Sequence, residues 1–147
     1  MSKPGSQMPN GSNSAISLIV GTTALVLVLP AVIIALMELM DQIEYGGVFM
    51  WIIYSIVFSL TIISILLISG LYLAGLINSD NTKMGVGIYL ISLSALNLLI
   101  RLSYLNEERG MWFGGVSWFE FIQYPWVHEQ LEIAFLGILI GALIMKK

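Results

Sequence analysis

The amino-acid sequence predicts an all-α integral membrane protein. Its four transmembrane helices are joined, between the third and the fourth, by an aromatic-rich interfacial loop or short helix. Three observations carry this. Of 147 residues, 58% are hydrophobic and only 10% are charged, against about 25% charged in a typical soluble domain. A soluble fold of this size could not bury so much apolar surface, because the surface of small domains falls only slowly with size. Four apolar segments recur along the chain, separated by short polar or turn-forming stretches.

Residues 1–14, rich in Ser, Gly, Pro and Asn, read as a polar tail ahead of a four-helix domain over 15–147. The first apolar segment covers 15–40, the second 48–77 and the third 84–105. Each exceeds the ~20 residues that a spanning helix needs at a rise of 1.5 Å per residue. The first is far longer than the roughly 7–15 residues of a signal-peptide core, and no small-residue cleavage site follows, so it reads as a retained span. Pro30 in its middle predicts a kink, which membrane helices tolerate where neighbours satisfy the freed carbonyl. The fourth segment, from Leu131 to Met145, has only 15 residues, about 22 Å of helix. Starting the helix at Pro125 extends it to 21 residues, 125–145. Proline suits the first helical position, and Glu129 and Glu132 suit the positive end of the helix dipole.

Four spans place both termini on one side. That side collects Lys3, Lys83, Lys146 and Lys147 against Asp80, a net +3. The other side sets Arg101 and Arg109 against Glu38, Asp41, Glu44, Glu107, Glu108, Glu120, Glu129 and Glu132, a net −6. The positive-inside rule makes the termini cytoplasmic or, in an organelle, on the equivalent side of an inner membrane. The outer loop, 106–124, and the helix entry behind it hold seven of the chain's 16 aromatic residues. Trp112, Phe113, Trp118, Phe119, Phe121 and Trp126 predict a half-buried shelf at headgroup level, able to anchor the chain or to dock a partner.

On the third helix Ser94, Asn97, Arg101, Tyr104 and Glu108 fall on one face. Depth counted along the helices predicts that Arg101 and Asn97 meet Glu129, Glu132 or Glu38 in a polar clamp near the outer boundary, because charges in a membrane need partners. Ala134, Gly137 and Gly141 form a small-residue strip containing a G-x-x-x-G, which admits close approach of another helix.

No self-sufficient catalytic constellation is present, so no enzyme activity is expected. One histidine and no cysteine exclude iron–sulfur clusters, thiolate zinc and a three-histidine site. His128, with Glu132 four residues on and Glu129 beside it, is the metal-ligand candidate, at an outer edge that also holds Glu38, Asp41, Glu44 and several methionines. Six basic residues are too few for a nucleic-acid footprint. The expectation is a non-catalytic accessory or structural subunit of a larger membrane complex, with respiratory and oxygenase-type complexes as the class analogy. Its partners would be other integral membrane subunits and the lipid bilayer, with structural lipids rather than an intrinsic cofactor. The alternatives are a small oligomeric transporter or channel, with the polar stripe facing a shared pore, and an outer-face subunit handling copper.

Overall fold

The structure is a computed structural model that describes residues 11–46, 49–109 and 125–146, with side chains over 15–46, 49, 52–102 and 131–146. The described chain is all-helical: α1 (Gly11–Glu44), α2 (Phe49–Leu73), α3 (Asp80–Arg109) and α4 (Pro125–Met145). Three stretches are long and apolar enough to cross a membrane: Ala15–Glu44, Ile52–Leu73 and Asp80–Leu102, with mean hydropathies of 2.6, 2.5 and 1.7. The apolar part of α4, Leu131–Met145, is shorter.

The helix ends differ from the hydropathy boundaries, and local backbone chemistry explains why. Hydropathy carries the second segment to Ile77, but α2 stops at Leu73. Gly75 takes a left-handed conformation, φ +78°. Its N–H bonds to the Tyr72 carbonyl (3.1 Å), and the Leu76 N–H reaches back to Leu71 O (2.9 Å). This pair of bonds is the Schellman motif, which satisfies carbonyls that the helix end would otherwise orphan. The chain then folds inward and buries Ile77. Likewise α1 outruns residue 40 and ends at Glu44, with Gly46 at φ +68° in the turn just beyond it. At its other end α1 begins at Gly11, within the segment expected to be tail, and it runs on through Pro30. One turn before the expected start of α3, Ser79 caps it: its carbonyl accepts the Lys83 N–H at 2.9 Å, and its hydroxyl oxygen lies 3.4 Å from the Thr82 N–H. Asp80 follows in the first turn, where a negative charge is favoured.

The four helices form two hairpins that meet along α2. Among the described residues helix α1 packs on α2 alone; α2 also touches α3 and α4, and the α3–α4 interface is extensive. Small residues set both close crossings. A Cβ on Gly21 would lie 2.9 Å from the Gly70 carbonyl oxygen, and one on Gly141 would lie 2.9 Å from that of Gly87. At the first crossing the Ser17 hydroxyl donates to Leu73 O at 2.9 Å. In lipid, where helices gain little from hiding apolar surface from one another, such backbone proximity supplies the van der Waals contact.

The distribution of residues is inside-out relative to a soluble bundle. Leu29, Ile19, Leu76 and Leu99 are exposed, and only 6% of the apolar window of α1 is buried. Thr61, Ser64, Ser94, Asn97 and Arg101 are buried. In a membrane, hydrocarbon would solvate the first set and not the second, so the burial pattern is compatible with a membrane-spanning fold.

Candidate functional site: a buried polar seam

Helices α2, α3 and α4 enclose a core with two chemically distinct halves. Towards the α2–α3 turn it is apolar, built from Ile65, Ile68, Ile77, Leu90 and Ile144. Towards the other end of α3 it is polar. Ser94, Asn97 and Arg101 recur at i, i+3 and i+7, so one face of α3 turns all three inward. Ser94 and Asn97 are 0% exposed and Arg101 is 4% exposed.

Helix α2 supplies the facing wall. The Arg101 guanidinium lies 5.8 Å from the centre of the Tyr54 ring, a distance at which the ring quadrupole attracts a cation. Tyr54 itself stacks on Phe58, centroids 6.5 Å apart and planes inclined by 12°. Thr61 donates its hydroxyl hydrogen to the Val57 carbonyl at 2.7 Å, which leaves its oxygen free to accept. The Ser64 and Tyr89 hydroxyls share a hydrogen bond of 2.9 Å between α2 and α3.

Helix α4 closes the third side through its smallest residues. Gly137 faces Ser94, where a Cβ would collide with the serine hydroxyl, and Gly141 faces Gly87 and Ile91. Ala134 is fully buried, and the antiparallel register set by those two contacts brings it level with Asn97. The strip of Ala134, Gly137 and Gly141 therefore lies against α3 of the same chain.

Of the residues expected in a clamp, Asn97 and Arg101 are together in this seam. Glu38 is not with them: it is exposed on α1, which among the described residues packs on α2 alone. The one-dimensional depth argument matched heights along the helices, but helix order around the bundle decides neighbours. Glu132 is exposed on α4, next to buried Leu131. Tyr54, Arg101 and Glu132 are all engaged in interactions. His128, Glu129 and Trp126 fall within the first turns of α4, but their side chains lie outside the described residues, as do Trp112, Phe113, Trp118, Phe119 and Phe121 altogether. Among the described residues no group of three His, Asp or Glu side chains could hold a metal ion.

The sequence reading missed the contribution of α2. No residue of the second segment entered the expected clamp, and Ser55 of α2 belongs to the opposite face, where it accepts a 2.6 Å hydrogen bond from the Gln42 side-chain amide of α1. The inward residues Tyr54, Thr61 and Ser64 follow at i, i+7 and i+10. That spacing is legible, but two polar faces on one helix overlap in the sequence, and hydropathy alone does not separate them.

Comparison with known protein families, with characterised proteins and with solved structures finds no match to this chain. The seam therefore has to be interpreted from its own chemistry. It holds hydroxyls, one carboxamide and one guanidinium, with no nucleophile–base pair among the described residues. Such a set can fix helices in register and hold small polar molecules.

Proposed function

We propose that this protein is a non-catalytic, four-span subunit of a larger membrane complex, and that α1 is the helix it presents to an integral membrane partner. The supporting observation is the isolation of α1. Among the described residues it touches α2 alone, which leaves most of a 30-residue apolar span for lipid or another subunit. Its exposed hydroxyls do not oppose such a contact, because Thr22 and Thr23 donate to the Leu18 and Ile19 carbonyls of their own helix at 2.8 Å.

The fourth span in this reading is α4 taken from Pro125, 21 residues or about 31 Å, which brings both termini to the lysine-rich side. The aromatic loop and His128 would then sit at the opposite boundary, as a docking shelf and as a weak candidate ligand. A structural lipid has a place in the groove of about 180 Å³ between α1 and α2, lined by Val32, Leu36, Leu39, Ile56, Leu60 and Ile63. A pore shared between copies gains less support, because Ser94 and Asn97 point into the chain's own core.

A photo-crosslinking residue at Leu29 or Ile19, which are 68% and 65% exposed, tests the reading in native membranes. The expected product is a covalent adduct to one different, larger integral membrane protein. Adducts to lipid alone, or to further copies of this chain alone, would remove the proposal.

A further inference from the structure

Asn97 is the most demanding polar residue of the seam. A carboxamide offers two donors and an acceptor oxygen with two lone pairs. The Asn97 side chain is fully buried, yet neither its Nδ2 nor its Oδ1 has a hydrogen-bond partner in the protein, and the Ser94 hydroxyl one turn away is in the same position. Burying such groups in hydrocarbon without partners is costly.

The chemistry of the site selects its occupant. Asn97 presents a donor and an acceptor together, and Ser94 presents both on one atom. A cation would satisfy only the oxygens, and the Arg101 guanidinium, one turn above, repels it. A halide would satisfy only the N–H and O–H groups. A single small neutral species that both donates and accepts satisfies all of them, and that species is water. Residues at i and i+3 on a helix have Cβ atoms about 5–6 Å apart, a gap that one bridging water fits, and a buried water needs two to four polar partners. Thr61, whose oxygen retains a free lone pair, lies at the same level on α2, between the Ser64–Tyr89 and Tyr54–Arg101 contacts. Below Ser94 the inward face of α3 turns apolar at Leu90, with Ile65 and Ile68 beside it.

We propose that Ser94 and Asn97 bind an internal water inside the α2–α3–α4 core, above Leu90. The site stands whether or not α1 docks a partner.

Two measurements on the full chain in lipid nanodiscs test it. The first is water-to-protein magnetisation transfer in ¹⁵N-labelled protein, with the Asn97 side-chain amide identified by its loss in Asn97→Leu or its displacement in Asn97→Gln. A cross-peak between that amide and water is expected; its absence overturns the site. The second is the unfolding midpoint of Asn97→Leu, Ser94→Ala and the double variant. A shared water makes the two losses non-additive, with the double variant less destabilised than the sum of the singles, because no partner is then left stranded. Strict additivity overturns the bridge. Should the variants fail to insert, triple-resonance correlation of the side-chain amide to the Asn97 backbone assigns it in the wild-type protein, and its cross-peak with water decides the matter.

Discussion

Gly21→Ala is the most discriminating perturbation of the α1–α2 crossing. The added Cβ would lie 2.8 Å from the Ala74 nitrogen, 2.9 Å from the Gly70 carbonyl oxygen and 3.1 Å from the Leu73 carbonyl carbon. All three are backbone atoms, so no side chain can rotate away. Ordinary contact begins at 3.4 Å, and the closest approach falls 0.6 Å short of it. Helix α1 must therefore back off by about that distance, and a gap of roughly 0.5–1 Å forfeits a quarter to a half of the dispersion attraction of each contact it opens. Overpacking of this kind costs about 1–3 kcal/mol. Against it stands the ordinary gain of replacing glycine by alanine in a helix, about 0.4–1 kcal/mol.

Gly85 isolates that gain. It is exposed on α3, and a Cβ there meets nothing within 4 Å. The chemical change is the same, so subtracting the two variants removes the intrinsic term and leaves the steric cost, about 1–3 kcal/mol. Reversible unfolding in mixed micelles, read by circular dichroism, measures both. The expected order of stability is Gly85→Ala at or above wild type, and Gly21→Ala below Gly85→Ala by that margin. If the two variants unfold at the same denaturant fraction, the close approach of α1 to α2 is wrong, and the description of α1 as a singly attached helix goes with it.

Two further predictions address the seam and the topology. Tyr54→Leu removes the aromatic face 5.8 Å from the Arg101 guanidinium, whereas Tyr54→Phe keeps it; the leucine variant is expected to be less stable than the phenylalanine one by about 0.5–2 kcal/mol, and equal stabilities would show that the ring is only packing. The chain has no cysteine, so single-cysteine labelling has no background: Lys146→Cys and Trp118→Cys are expected to react with an impermeant maleimide from opposite sides of a sealed vesicle, and same-side reaction would refute an even number of spans with the aromatic loop between the last two.

The class of this protein is legible in the sequence, because the exchange of water for hydrocarbon is a bulk property that composition and segment length report directly. The helix ends are partly legible too: Gly46, Gly75 and Ser79 are local signals whose physics involves only a few neighbouring residues, although apolar Leu76 and Ile77 hide the end of α2 from a hydropathy reading. The inward face of α3 likewise follows from the spacing of Ser94, Asn97 and Arg101. What the sequence could not determine is which helix stands beside which. Hydropathy and depth run along a helix, whereas the order of helices around the bundle depends on where the backbones fit closest. The pairs Gly21–Gly70 and Gly87–Gly141 set that order. They put Glu38 on an outlying helix, and they turn Tyr54, Thr61 and Ser64 rather than Ser55 towards the seam. Those close approaches join residues distant in the chain, and only the assembled tertiary structure brings them together.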